Sequence, residues 1–243
     1  MKKKMFAAGL LLLSSTAFSA GGAHWEYSGE AGPENWAKLS PDYSACAGKN
    51  QSPINLGGFI EAELKPIAFH YKAGSTEILN NGHTVQVNAA AGSSISIDGI
   101  QFDLKQFHFH APSENLIKGK SYPLEAHLVH ADKDGNLAVV AVMFTEGKAN
   151  KALEQAWAQM PMKEGDKAAL RANVSPQGIL PANRAYYRFN GSLTTPPCSE
   201  GVRWLVMKHS VTASKEQIEE FTHVMHHPNN RPTQTVNARP VLK

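Results

Sequence analysis

The sequence has few cysteines, only a small excess of positive charge and no long apolar run after its first residues. Two cysteines in 243 residues cannot supply the disulfide network of a small cysteine-stapled domain. Nothing beyond the first residues approaches the roughly 20 consecutive apolar residues of a membrane-spanning helix. The sequence also lacks internal repeats, low-complexity tracts and a linker rich in proline, glycine or serine. We therefore expect one domain that does not insert into a membrane.

The first residues are typical of a secretion signal. Lysines occupy positions 2 to 4, an apolar run extends from Met5 to Leu13, and Ser19 is a small residue suited to cleavage. We predict a signal peptide over residues 1–19, with cleavage between 19 and 23, and a mature domain over residues 20–243. The signal does not separate periplasm from release outside the cell. The absence of a lipidation cysteine or anchor favours a periplasmic protein.

Removing this segment leaves a chain without net charge. Three of the 24 lysines and arginines lie in it, so 21 basic side chains remain against 21 acidic ones. Nucleic acids and anionic membranes normally select clustered basic residues. A near-neutral chain favours neither of these partners, and we expect a small substrate.

The two cysteines are Cys46 and Cys198, far apart in the sequence. In an oxidising compartment, an isolated pair of this kind is more often a disulfide than two free thiols. We therefore predict a disulfide between them.

Short segments of alternating polarity dominate the chain and predict β-strands. They are Ile67–Tyr71, Val85–Val87, Ile95–Ile97, Ile100–His110, Tyr122–His130, Leu137–Phe144, Tyr186–Phe189 and Val202–Met207. Asn81-Gly82 and Asp134-Gly135 are hairpin dipeptides, which favours antiparallel connections. Helices are predicted over Lys151–Met160 and after Ser214, which has capping-box spacing to Gln217. The fold class is α+β, a single domain built on a large, mainly antiparallel central β-sheet with a few peripheral helices.

The strand predicted over Ile100–His110 carries a candidate metal site. In a regular strand its even-numbered residues share one face, whose apolar character would give way to polar character at Gln106. His108 and His110 could then bind one ion, and His127 in the next predicted strand could supply a third imidazole. Three neutral histidines leave a tetrahedral zinc ion one open position, as in catalytic zinc sites.

Two further residues strengthen this pattern. Gln106 and Glu125 each precede a histidine by two residues on the same face, so each can accept its second N–H group. His130 has the opposite parity to His127, and we expect it to point away from the ion with a structural role. Histidines outside the pattern, such as His227, are also expected to be structural.

Several motifs together resemble the α-class carbonic anhydrases. They are HWEYSG, NQSPINL, ILNNGH, QFHFH, EAHLVH, SLTTPPC and NNRPTQ, in this order over nearly the whole mature chain. The resemblance implies a zinc ion at the base of a conical cleft, with His108, His110 and His127 as its ligands. It implies reversible hydration of carbon dioxide to bicarbonate and a proton by zinc-bound hydroxide. Separately, we expect a monomer or homodimer.

The resemblance also implies catalytic roles for individual residues. Glu114 matches the carboxylate that accepts a hydrogen bond from the Thr194 hydroxyl, so that the Thr194 oxygen can accept a hydrogen bond from the zinc-bound hydroxide. His83 matches the proton shuttle, because an imidazole can accept and release a proton near neutral pH. The backbone carbonyl of Asn229 matches the acceptor for His110.

Further positions match the surroundings of that centre. The apolar wall that would hold carbon dioxide is formed by Val129, Val139, Leu193, Thr195, Val202 and Trp204. The residues that would organise water between shuttle and metal are Tyr27, Asn81 and Gln86. The resemblance also implies that the bonds Ser52-Pro53 and Pro196-Pro197 are cis and that the disulfide ties the active-site loop to the segment around Cys46.

Two alternative functions remain open at this point. The spacing His108-x-His110-x-x-x-Glu114 is that of a cupin metal motif, although a cupin would leave Gln106, Glu125 and Thr194 unexplained. Metal coordination by Glu114 would favour this reading. The second alternative is a non-catalytic zinc-binding protein that retains the same fold.

Overall fold

A computed structural model describes residues 22–72, 74–170 and 174–243 of the chain. The predicted signal peptide over residues 1–19 lies outside these residues, as does most of the range predicted for its cleavage. Every helix in the described part of the chain is too short or too polar to span a bilayer.

The described residues form thirteen β-strands and three α-helices. The strands are β1 (Asn55–Leu56), β2 (Ala68–His70), β3 (Ser75–Asn80), β4 (Val85–Ala89), β5 (Ser94–Ile97), β6 (Ile100–His110), β7 (Leu116–Ile117), β8 (Leu124–Ala131), β9 (Leu137–Glu146), β10 (Lys167–Ala169), β11 (Tyr186–Ser192), β12 (Glu200–Met207) and β13 (Val211–Ala213). The helices are α1 (Trp36–Leu39), α2 (Lys151–Trp157) and α3 (Lys215–Met225). All eight predicted strands are present, whereas β1, β3, β7, β10 and β13 were missed by the alternation pattern.

One sheet contains eleven of the described strands. Its main order is β10-β3-β4-β6-β8-β9-β12-β11, with β5 and β2 continuing from β6 and with β13 paired to β9. Its neighbours are antiparallel except where β9 pairs with β12 and β13. Strands β1 and β7 form a separate parallel pair. The predicted large, mainly antiparallel sheet is confirmed.

Each face of this sheet carries its own apolar cluster. On the first face, which we call the core face, the ring of Phe109 lies 4.9 Å from that of Trp157 in α2 and 6.1 Å from that of Phe221 in α3. The opposite face, which we call the site face, carries a smaller cluster that includes Val139 and Trp204. Because both helices cover the core face, the site face is where polar side chains can be held in a cleft.

The predicted helices differ in how well their ends were located. Helix α3 begins at the expected capping box, where Ser214 Oγ accepts from the Gln217 N–H at 3.3 Å and Gln217 Oε1 accepts from the Ser214 N–H at 3.1 Å. Helix α2 ends at Trp157 instead of the predicted Met160. The Met160 N–H bonds the Trp157 carbonyl in a tighter turn ahead of the following proline.

One extra residue in β6 corrects the predicted assignment of its faces. Leu104 pairs with His130 and Gln106 pairs with Val129, so Lys105 has no counterpart on β8 and forms a β-bulge. Strand positions before and after such a bulge differ in parity.

The bulge keeps apolar side chains on one face along the whole strand. Phe102 and Leu104 before it belong to the same core-face cluster as Phe107 and Phe109 after it. The expectation that the even-numbered residues from 100 to 110 share one face is therefore wrong. Of the even-numbered residues, only those after Lys105 point to the site face. The apolar side chains of β6 therefore stay on the core face both before and after Gln106.

Three peptide bonds before proline are cis in the described residues. Ser52-Pro53 and Pro196-Pro197 are the two that the resemblance implies, and Ala111-Pro112 is a third.

Candidate metal centre

Three histidines from two neighbouring strands converge on the site face. His108 and His110 lie two residues apart on β6, and His127 lies directly opposite His108 on β8. One ring nitrogen from each lies within 4.8 Å of the others. Among the described residues, no other group of three or more histidines, cysteines and acidic residues brings its ligand atoms together in this way.

The second ring nitrogen of each histidine donates a hydrogen bond within the protein. The pairs are His108 Nδ1 to Gln106 Oε1 at 2.8 Å, His110 Nδ1 to the Asn229 carbonyl at 2.7 Å, and His127 Nε2 to Glu125 Oε1 at 3.0 Å. Carbonyl and carboxylate oxygens only accept, so these nitrogens carry the protons. The lone pairs therefore remain on Nε2 of His108, Nε2 of His110 and Nδ1 of His127.

All three imidazoles have a lowered pKa. Burial is the main cause, and it places the pKa of His108 and His127 well below the usual range, with neighbouring histidines lowering both further. Burial also lowers the pKa of His110, although its bond to the Asn229 carbonyl opposes the shift. Each imidazole is therefore neutral at neutral pH, the state in which it can bind a metal.

The Glu125 carboxylate is itself held by several donors. Its Oε2 accepts from the backbone N–H groups of Glu114 at 2.7 Å and Asn115 at 2.9 Å, and its Oε1 accepts from Asn115 Nδ2 at 2.8 Å. Burial raises the pKa of Glu125, while the bonds from Asn115 lower it. Sequence reasoning missed Asn115, which fixes the carboxylate that in turn orients His127.

Glu114 is buried beside the three histidines. Its Oε1 accepts from the backbone N–H of Arg231 at 2.8 Å, and its Oε2 lies 3.5 Å from His110 Nε2 and 3.9 Å from His127 Nδ1. Burial raises the pKa of Glu114 to about 8, against the lowering effect of hydrogen bonds from the Thr194 side chain and Arg231 backbone. Glu114 and Thr194 are thus brought together next to the histidines.

Arg231 is a second residue that sequence reasoning missed. Its guanidinium is buried, donates from Nη1 to Gln51 Oε1 and the Ser52 carbonyl at 2.8 Å, and from Nη2 to the Cys46 carbonyl at 3.1 Å. It also lies over the ring of Trp36, 5.2 Å from the centroid, and burial lowers its pKa to about 10. It lies within the quoted motif NNRPTQ, but nothing in that motif indicates that its charge is buried.

The loop between β11 and β12 carries Thr194 and Thr195. The Cys198 N–H donates to the Thr195 carbonyl at 2.8 Å, which closes the turn. Cys198 is joined to Cys46, so the predicted disulfide is confirmed. The pair ties this loop to the segment that Arg231 also contacts.

Five of the six residues predicted to hold the substrate belong to the site-face cluster. They are Val129, Val139, Leu193, Val202 and Trp204. The Trp204 ring lies 4.8 Å from the His127 ring, so this apolar surface is next to the metal centre. The sixth residue, Thr195, is half-buried in the loop and lies outside the cluster.

His83 is connected to the metal centre through Asn229. The Asn229 side chain donates from Nδ2 to the His83 carbonyl at 3.0 Å, and its backbone carbonyl accepts from His110. The His83 ring is half-buried and stacks on Trp25, with centroids 3.7 Å apart and planes at 11°. One buried amide residue therefore positions a candidate metal ligand and the turn that carries His83.

The residues predicted to organise water differ in their surroundings. The Tyr27 hydroxyl is buried without a hydrogen-bond partner in the described residues, and burial raises its pKa well above the usual value. Gln86 lies on β4 directly opposite His108. Asn81 is exposed, and its Oδ1 accepts from the His83 N–H at 3.0 Å. Asn81 thus shapes the turn that carries His83.

The chain matches known proteins over most of its length. Residues 31–243 match the family model described as eukaryotic-type carbonic anhydrase. A protein of Pectobacterium carotovorum named carbonic anhydrase is 50% identical over 243 residues, which cover 100% of both chains.

Solved structures show the same similarity. An α-carbonic anhydrase from Thermovibrio ammonificans, solved with the inhibitor sulfanilamide, superposes with a TM-score of 0.91 at 52% identity, covering 92% of this chain and 100% of that chain. The α-carbonic anhydrase of Photobacterium profundum superposes with a TM-score of 0.86 at 50% identity, covering 90% of this chain and 100% of that chain.

Proposed function

We propose that this chain, a member of the eukaryotic-type carbonic anhydrase family, works with a zinc ion held by His108, His110 and His127. Its membership of this family makes it a carbonic anhydrase. Its reaction is the reversible hydration of carbon dioxide to bicarbonate and a proton. The observation that carries the proposal is the convergence of three neutral imidazoles whose unprotonated nitrogens share one buried space.

The residues present fit a zinc ion. His110 Nε2 is buried without a hydrogen-bond partner in the part of the chain that the structure describes, and coordination would satisfy it. Three imidazole nitrogens suit a borderline ion and leave one position open. When bound, zinc supplies a Lewis acid that lets a water molecule ionise near neutral pH, an effect for which carbonic anhydrases are themselves the reference case.

Glu114 and Thr194 orient the attacking oxygen. An ionised Glu114 can only accept a hydrogen bond, so the Thr194 hydroxyl donates to it and the Thr194 oxygen is left to accept from the nucleophile. Burial raises the pKa of Glu114 to about 8 even against the hydrogen bonds from Thr194 and Arg231, but a nearby divalent cation would favour its ionised form. Both groups act as positioning residues because they fix the direction of a lone pair.

The part of the site-face cluster that lies beside His127 binds the substrate. Val139, Val202 and Trp204 are nearly fully buried and form an apolar wall beside His127. Carbon dioxide carries no charge and accepts hydrogen bonds weakly, and an apolar wall holds it without competing for the polar groups. Bicarbonate is charged and is disfavoured there, which promotes its release.

His83 removes the proton that the reaction produces. Its imidazole accepts a proton on the side of the metal centre and releases it to buffer, with Tyr27 and Gln86 bordering the intervening water. Burial lowers the pKa of His83, which favours release.

We also infer that residues 1–19 direct secretion to the periplasm and that the mature domain extends over residues 20–243. The disulfide between Cys46 and Cys198 supports this, because such bonds persist in oxidising compartments. We expect no nucleic-acid partner and a monomer or homodimer.

Stopped-flow hydration of carbon dioxide tests the proposed function. Protein loaded with one equivalent of zinc is expected to accelerate hydration, to lose this activity after chelation and to regain it when zinc returns. Zinc-loaded protein that gives no acceleration over buffer would support the non-catalytic zinc-binding alternative. Family membership leaves the cupin alternative without support.

A further inference from the structure

A cavity of about 480 Å³, which we call the outer cavity, lies against His83. Besides His83, its titratable wall residues are His24, Glu26, Glu164, His226 and His227, with Lys163 at the same wall. None of the three candidate zinc ligands belongs to this wall. The outer cavity therefore gathers ionisable groups around the shuttle residue and away from the metal centre.

Separate segments bring these groups to His83. Trp25 stacks on the His83 ring at 3.7 Å, which holds residues 24–26 against it. The Glu164 carboxylate covers the preceding residue, because a Cβ at Gly82 would lie 2.7 Å from Glu164 Oε1. His227 follows the C-terminal end of α3. The arrangement depends on the tertiary fold and not on neighbouring positions in the sequence.

The groups of the outer cavity act on His83 electrostatically. Burial lowers the pKa of His83, the carboxylates of Glu26 and Glu164 oppose this shift, and His24 and His227 add to it. His226 and Lys163 border the same space. Because these groups and His83 line one cavity, a chain of water molecules inside it can connect them.

We propose that the outer cavity receives the proton that leaves His83 and that His24, Glu26, Glu164 and His227 relay it to the buffer. The inference rests on the shuttle role of His83 in the proposed function. The step transfers one proton: an N–H bond of the His83 imidazolium breaks, and an N–H or O–H bond forms on the acceptor, directly or through water.

Two features make this relay effective. Histidine suits proton transfer, because one nitrogen of its imidazole can accept a proton while the other releases one. Several acceptors on one wall also give a higher local concentration than dilute buffer does. His24 Nε2 lies 2.8 Å from Glu26 Oε1, and their side chains are 77% and 42% exposed, so this pair is accessible to buffer.

The test compares turnover at low and high buffer concentration in zinc-loaded protein. The quadruple variant His24→Gln, Glu26→Gln, Glu164→Gln and His227→Gln retains polar side chains but loses all four titrating groups. We expect its kcat at low buffer to fall on the order of threefold, with kcat/KM unaffected and with recovery at high buffer. The matched control is His209→Gln with Glu63→Gln, two exposed positions outside the outer cavity, and we expect it to behave like the parent.

A second measurement does not depend on zinc. In an NMR titration of the His83 ring, Glu26→Gln with Glu164→Gln is expected to lower the pKa of His83, and His24→Gln with His227→Gln to raise it. An unchanged pKa in both pairs would contradict the arrangement.

The kinetic outcomes separate this inference from the proposed function. If the quadruple variant keeps parental turnover at low buffer while His83→Ala loses it, the relay is wrong and the shuttle stands. If His83→Ala shows no loss, both the shuttle and the relay are wrong. A parent protein without hydration activity would overturn the proposed function and the relay with it.

Discussion

His127 and His130 lie three residues apart on β8 and face opposite sides of the sheet. Both are buried, and burial lowers the pKa of both, that of His130 to about 4. On the core face, His130 has both ring nitrogens bonded, Nε2 to the Tyr71 hydroxyl at 2.7 Å and Nδ1 to the Ala138 carbonyl at 3.2 Å. On the site face, Nε2 of His127 is bonded, whereas Nδ1 is directed towards the other candidate ligands and has no hydrogen bond within the described residues.

The comparison shows that burial and a lowered pKa do not identify a metal ligand. What distinguishes the two histidines is the protein's use of the second nitrogen. A core histidine needs both nitrogens satisfied, because an unpaired buried polar atom costs free energy. A site that leaves several such nitrogens unpaired and adjacent reserves them for a ligand outside the chain.

The difference between the faces depends on the bulge at Lys105. We expect deletion of Lys105 to abolish zinc binding and most of the folded protein, because either Phe102 and Leu104 or the histidines must then leave their face. Lys105→Ala keeps the extra residue, and its exposed side chain contributes little. Zinc content and the urea unfolding midpoint check both variants. A deletion variant that folds and binds zinc normally would contradict the role assigned to the bulge.

Removing the site-face histidine should affect the metal first. His127→Ala is expected to lose zinc and to reduce hydration to the rate in buffer, because two imidazoles remain on a site that needs three. Metal analysis after dialysis and stopped-flow kinetics measure this. The matched control is His130→Phe, which we expect to retain one equivalent of zinc. Zinc loss in the control would mean that the two histidines do not have separate roles.

Removing the core-face histidine should affect stability and its dependence on pH. His130→Phe leaves the Tyr71 hydroxyl and Ala138 carbonyl unpaired, which we expect to lower the free energy of unfolding at pH 7 by about 2 kcal/mol. In the parent protein the folded pKa of His130 is about 4, below that of the unfolded chain. The unfolded state therefore binds the extra proton, and stability falls as the pH drops from about 6.5 to 4.

This dependence amounts to about 3 kcal/mol, since each pKa unit corresponds to about 1.4 kcal/mol. His130→Phe removes it, so the parent, which is about 2 kcal/mol more stable than the variant at pH 7, should become the less stable protein as the pH approaches 4, and the two stability curves should cross. Urea unfolding of both proteins at several pH values measures the difference and cancels the other titrating groups. Parallel curves over this range would show that His130 is not held neutral by the core.

The sequence predicted the strand that carries the site but not its geometry. The positions of β6, β8 and β9 follow from alternation, and the HxH pattern with His127 follows from ligand chemistry. The bulge at Lys105 could not be predicted, because an exposed lysine fits the alternation of an uninterrupted strand equally well. Its presence is evident only from the pairing of β6 with β8.

Contacts between distant segments were also beyond reach. Asn115 and Arg231 hold Glu125 and Glu114 through buried hydrogen bonds, yet each is a polar residue that a sequence pattern assigns to a turn or surface. Short strands such as β10 were missed because a three-residue strand has too few positions to show a period. These features depend on what the fold brings together.

His83 provides the last and smallest test of the comparison, because its Nδ1 is buried without a hydrogen-bond partner among the described residues although His83 is not one of the three converging histidines. If an isolated unpaired nitrogen serves proton transfer, His83→Ala should retain zinc and kcat/KM but lose roughly tenfold or more of kcat at low buffer concentration. Added imidazole should restore kcat, because it replaces the missing proton acceptor in solution. Stopped-flow kinetics across a series of imidazole concentrations, with His209→Ala as the control, measure this effect. Zinc loss in His83→Ala, or a kcat that imidazole does not raise, would instead mean that this nitrogen has a structural role and that an unpaired nitrogen indicates function only where several converge.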